Sequence, residues 1–178
     1  MTTATKAKTK TAPKTAPKTA SKTTTAPKAQ GATELLRADH KLVSGLFAEY
    51  EKTRSAAKKK TLVNRICLEL TVHAQVEEEI FYPAVKKALK DKMLVPEATV
   101  EHATLKELIE QVEGVAPDGE MFDAKIKVMS EYVKHHVKEE QNEMFPKANA
   151  TKLDMMQLGA DIAARKEELM AEKGGATT

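Results

Sequence analysis

"HAQVEEEIFYP" (residues 73–83) and "HVKEEQNEMFP" (residues 136–146) are two versions of one phrase. Each opens on a histidine, carries a glutamate four residues later and ends on a proline. Both lie in long stretches whose apolar residues recur every three or four positions, as in a helix with one buried face. Residues i and i+4 stack on that face about 6 Å apart along the axis, so the histidine and the glutamate both point inward. A carboxylate buried without a cation is very costly. The two phrases therefore predict two helices with positive charge held beside them.

Outward from these phrases the pattern is helical from Thr33 onward. Helix one is expected at about 33–54, with Thr33 as N-cap and Leu36, His40, Val43, Phe47 and Tyr50 on its inward stripe. Helix two covers about 57–90, with Leu62, Ile66, Leu70, His73, Glu77, Ile80 and Ala84 in line, and Pro83 is expected to kink or interrupt it. Helix three starts near Pro96, carries Thr99, His102, Leu105 or Lys106, Ile109 and Val112, and stops at Gly114. "APDG" at 116–119 reads as a turn. Helix four covers about 120–148, with Phe122, Ile126, Met129, Val133, His136 and Glu140 in line and Pro146 as its interruption. A shorter helix at about 152–172 is expected to bury Leu153, Met156, Ile162 and Leu169. The fold class is all-α: an up-down-up-down four-helix bundle with a short fifth C-terminal helix.

Composition agrees. Hydrophobic residues make up 41% of the 178, enough for one core, while aromatic residues are 4% and tryptophan is absent. The single Cys67 excludes an internal disulfide and a cysteine-rich metal site; it fits a reducing, cytoplasmic setting and reads as a small apolar filler. No apolar run approaches the ~18 residues of a membrane span. Residues 1–31 form a tail of Thr, Ala, Lys, Pro and Ser, with "TAPK" repeated, and are expected to be disordered. The bundle domain spans 32–173, and 174–178 is a short C-terminal tail. Removing the tail's seven lysines from the total of 29 Lys and Arg leaves 22 basic against 26 acidic residues. An overall charge of +3 thus hides a +7 tail on a domain of −4. Such a tail reads as a solubilising or spacer segment, with weak polyanion contact as the alternative, since it holds no arginine or aromatic residue to read or stack on bases.

Each long helix puts one histidine on its inward stripe: His40, His73, His102 and His136. Helices two and four add Glu77 and Glu140. Four imidazoles and two carboxylates converging mid-bundle make a dinuclear metal site, with the carboxylates as natural bridges because each has two oxygens. His135 lies about 100° off the stripe and reads as a solvated surface residue. Mixed imidazole and carboxylate donors suit iron, manganese or zinc, and two carboxylates between histidine-bound ions in a bundle fit iron best.

"DH" at 39–40, "HAQVEEEIFYP" at 73–83, "EH" at 101–102 and "HVKEEQNEMFP" at 136–146 resemble the hemerythrin-like, HHE cation-binding domain, in the H, HxxxE, H, HxxxE order of its bacterial branch. The resemblance covers 33 to about 172. It implies a non-haem, oxo-bridged di-iron centre that meets O2, NO or peroxide. It assigns His40 and His73 to one iron, His102 and His136 to the other, and Glu77 and Glu140 to both. Oxygen-carrying hemerythrins have a further histidine four residues after the one in the third helix. Here that position is Lys106, whose protonated amine has no lone pair to offer. Either the position opens to water or substrate, or another group fills it; Tyr50, inward on helix one, is the candidate. The implied function is binding or sensing of O2, NO or peroxide. The alternatives are a redox enzyme acting on the same molecules, or iron storage or iron-centre repair, the last disfavoured by a lysine tail where repair proteins carry a cysteine-bearing domain.

Overall fold

The computed structural model describes residues 1–3 and 30–175. Most of the expected basic tail, and the last three residues, lie outside the described residues. Seven α-helices and two wider turns follow in order among these: α1 (Ala32–Lys52), α2 (Ala56–Val76), a first π turn (Glu77–Phe81), α3 (Tyr82–Ala88), α4 (Leu94–Glu110), α5 (Gly119–Glu139), a second π turn (Glu140–Met144), α6 (Phe145–Asn149) and α7 (Met155–Gly174). There is no strand among the described residues. Because α2 runs through the first π turn into α3, and α5 through the second into α6, the elements make four long rods and a fifth helix.

The rods alternate in direction, and their sequences show why they meet at one depth. Two apolar clusters fill the bundle. One includes Val43, Leu70, Leu105 and Val133; the other includes Leu36, Val76, Ala98 and Met144. Along α1 the order is Leu36, His40, Val43, from the second cluster to the first. In α2 it is Leu70, His73, Val76, the reverse. The sense reverses again in α4 (Ala98, His102, Leu105) and once more from α5 into the second π turn (Val133, His136, Met144). Each histidine is the crossing point between the clusters, so an antiparallel bundle brings all four to the same layer.

Pro83 and Pro146 do not break their rods; each marks a disturbance of the helix just upstream. Proline has no N–H to give the carbonyl four residues back, and its ring crowds that carbonyl. Just upstream the helix widens instead, and the Tyr82 N–H reaches the Glu77 carbonyl, five residues back. The Phe145 N–H does the same to Glu140. Such a π turn inserts one residue into the helical count and resets the inward face. Ile80 and Ala84, expected inward, are only half-buried, while Phe81, Tyr82 and Val85 are buried.

Other boundaries also move. Gly31, not Thr33, caps α1, its N–H held by Glu34 Oε2 at 3.4 Å. Thr33 is buried inside the first turn with Oγ1 on Asn149. In α4 the buried residue is Ala98, and Thr99 is exposed. Past its end, Gly114 takes φ +71°, a backbone state that favours glycine. In α7, Ile162 and Leu169 are buried as expected, but Met156 is half-exposed and Gly159 takes the inward place. A Cβ on Gly159 would stand 2.2 Å from the Gln30 carbonyl oxygen. The bare glycine therefore lets α7 lie against the start of α1. From there α7 packs on both α1 and α2 and delivers Lys166 toward the histidine layer.

Candidate metal centre

All six side chains singled out from the sequence meet. His40 Nε2 lies 3.0 Å from His73 Nε2, and His102 Nε2 lies 3.2 Å from His136 Nε2. Glu77 Oε2 stands between one member of each pair, 3.2 Å from His73 Nε2 and 3.4 Å from His102 Nε2. Glu140 Oε2 stands between the other two, 3.2 Å from His40 Nε2 and 3.6 Å from His136 Nε2. The donors form two groups, His40, His73, Glu77 and Glu140, and Glu77, His102 and His136, all buried. Two donors each about 2.1 Å from one octahedral ion are about 3 Å apart, so these separations fit shared ions.

The outer ring nitrogens are held from behind. His102 Nδ1 pairs with Glu78 Oε1 at 3.0 Å, and His136 Nδ1 with Glu101 Oε2 at 2.6 Å. His73 Nδ1 faces Asp39 Oδ2 at 3.6 Å. The Gln141 amide lies 3.0 Å from His40 Nδ1, and a flip of that amide lets its oxygen accept from the ring. The carboxylates behind His102 and His136 accept from Nδ1 and turn those Nε2 lone pairs inward, as in metal-bound histidine. Lys166 of α7 in turn holds Asp39.

Charge points the same way. Glu77 and Glu140 are fully buried, and Glu77 Oε1 and Glu140 Oε2 have no hydrogen-bond donor. From the protein groups alone, burial and the neighbouring Glu140 hold the Glu77 carboxyl well above its ordinary range. Burial pushes Glu140 upward as well, but the imidazoles of His40, His136 and His73 beside it outweigh burial and bring it down to about 2. Two buried carboxyls this close, each with an oxygen that no donor reaches, fit a cation between them. Burial, aided by His136, brings His102 down to about 4, and burial also lowers His40; both offer neutral lone pairs.

Tyr50 is not brought to the centre. Its hydroxyl donates to Asp123 at 2.6 Å, beside Lys59. The tyrosine in the layer is Tyr82, whose hydroxyl donates to Glu140 Oε1 at 2.9 Å and lies 3.3 Å from Glu77 Oε2 and 3.2 Å from His102 Nε2. Reading the helix at 3.6 residues per turn puts Tyr82 about 180° from His73, which is why it escapes notice. The π turn brings it round. Lys106 pairs with both Glu78 oxygens at 2.7 Å and so braces the carboxylate behind His102. Asp39, Glu101 and Gln141 were not assigned roles from sequence either. The nearest signal was their place beside a ligand in "DH", "EH" and "EEQ".

The model of the hemerythrin HHE cation-binding domain matches residues 31–148. The chain belongs to that family. Among solved structures, this HHE domain is similar to the crystal structure of a hemerythrin HHE cation-binding domain-containing protein from Mycobacterium kansasii. The TM-score is 0.68 at 23% identity, covering 83% of this chain and 90% of that one; at this identity the likeness speaks for the fold. A DNA nickase of Nostoc sp. (strain PCC 7120) is 26% identical over 147 residues, 82% of this chain. The HHE chain spans 42% of that relative's length.

Proposed function

We propose that the chain is a non-haem di-iron protein that binds or senses O2, NO or peroxide at this centre. The observation that carries the reading is four imidazole Nε2 atoms set around two shared carboxylates, each with one oxygen that no donor reaches. By position, His40 and His73 would hold one ion, His102 and His136 the other, and Glu77 and Glu140 both. Bound iron would supply Lewis acidity and one-electron redox chemistry. Asp39, Glu78, Glu101 and Gln141 orient the rings. Val43, Leu70, Leu105 and Val133 wall a cavity of about 10 Å³ against the four histidines, room for about one water-sized molecule, and they keep bulk solvent out. Cys67 does not compete as a ligand, since burial pushes its thiol up to about 12.

A second reading, a redox enzyme that consumes peroxide or reduces O2 or NO, draws support from Tyr82. Burial and the two carboxylates raise its hydroxyl well above the ordinary tyrosine range, so it keeps its proton and can lend it as a hydrogen bond to a ligand beside His102. Elemental analysis of protein purified without added metal, with an absorption spectrum, tests the first reading; absence of iron overturns it. Peroxide added to the iron-loaded protein separates the two. Steady oxygen evolution supports the enzyme, and a stable colour change supports the binder.

The proposal includes a cytoplasmic location, supported by the lone buried Cys67. No helix among the described residues is long and apolar enough to cross a membrane. It also includes weak polyanion contact by the lysine tail. Loss of salt-dependent DNA binding on deleting residues 1–30 supports this, and unchanged binding refutes it.

A further inference from the structure

The buried centre uses four of the five histidines. The fifth sits in "HHVKEE" (residues 135–140), which holds two overlapping HxxxE phrases. One, His136 and Glu140, faces inward. Its twin, His135 and Glu139, is turned outward along the same stretch of α5. A third carboxylate, Glu101 of α4, stands between the two phrases. Its Oε2 takes the buried His136 Nδ1 at 2.6 Å, and its Oε1 faces His135 Nε2 at 3.3 Å. His135 Nε2 is also 3.3 Å from Glu139 Oε1.

We propose that Glu101, His135 and Glu139 form a third cation site, exposed and separate from the buried centre, for a first-row divalent ion such as zinc, cobalt, manganese or ferrous iron. One imidazole and two carboxylates match that class, whereas calcium takes oxygen donors alone. The three donor atoms lie within 4.8 Å of one another. Glu101 is 8% exposed, and its second oxygen is already fixed by His136. The anchoring ligand is therefore oriented before any ion arrives, which distinguishes the cluster from a loose surface group of acids. His135 is well exposed and Glu139 half-exposed. An open pocket of about 160 Å³, which Glu101 does not line, adjoins His135 and Glu139, and the exposure of His135 leaves the ion's other positions to water. Glu101 would touch the outer ion with one oxygen and orient a ligand of the buried centre with the other.

The test counts zinc. Protein as purified, with its resident metal, is dialysed against micromolar zinc and analysed for both elements. Wild type is expected to gain one zinc per chain that both His135→Ala and Glu139→Gln fail to hold, with affinity at least about tenfold weaker and resident metal unchanged. Both positions are at the surface, so neither variant disturbs the core. Equal zinc uptake in wild type and both variants overturns the proposal, as does no uptake in wild type. The two readings fail separately. Protein without resident metal counts against the buried di-iron centre, while the one-zinc difference between wild type and His135→Ala reads the outer site alone.

Discussion

Glu140→Ala is expected to strip at least one ion from the buried centre. The Glu140 carboxylate lies 3.2 Å from His40 Nε2 and 3.6 Å from His136 Nε2, and it accepts the Tyr82 hydroxyl at 2.9 Å. It therefore belongs to both halves, and its removal halves the negative charge facing the ions. One pair of unit charges about 4 Å apart is worth about 4 kcal/mol at an effective permittivity of about 20, and a divalent ion doubles that. Even the smaller figure is about three powers of ten in affinity. The assay is elemental analysis after dialysis against a competing chelator, where wild type keeps two ions per chain and the variant one or none. Glu140→Gln separates charge from packing, because the amide fills the same space and still meets Tyr82; it should lose metal in parallel. Circular dichroism checks that both variants remain helical. Two tightly held ions in both folded variants would refute the bridging role and the charge argument behind it.

Tyr82→Phe should alter the absorption spectrum and any peroxide reactivity of the loaded protein. Tyr50→Phe should leave both unchanged and cost about 1 kcal/mol in denaturant melts, the usual worth of a hydrogen bond such as the one to Asp123. In chelator-stripped protein, Glu77→Gln should be more stable than wild type at neutral pH. The Glu77 carboxyl is raised in the folded chain, so the stability it lends is complete below the unfolded value of 4.5 and is lost as pH rises through the folded one. A neutral amide escapes that loss, and melts from about pH 4 to about pH 8 should show the gap widening; a constant gap contradicts the assignment. Gly159→Ala should destabilise by about 1–3 kcal/mol, because a Cβ there overlaps the Gln30 carbonyl; an unchanged melting temperature would show that α7 does not rest on α1 in this way.

What was legible in the sequence followed from periodicity. His40 and His102 lie on rods without a π turn, and His73, Glu77, His136 and Glu140 lie before one or at its first residue, so 3.6 residues per turn still places all six. Past Glu77 the count slips by one residue. The expected stripe then named Ile80 and Ala84, where the fold buries Phe81, Tyr82 and Val85. The two prolines mark where each rod is disturbed, but whether the helix widens or breaks there depends on the packing around it.

Sequence alone determined which donors this chain would bury, because spacing along a single helix sets which residues share its face. Which groups stand behind those donors was decided only in three dimensions. Asp39 serves a histidine of α2, Glu78 and Glu101 serve histidines one rod away, and Lys166 arrives from a helix more than a hundred residues distant. Such pairings depend on how rods rotate against each other, and a helix's own periodicity carries no record of its neighbour's angle.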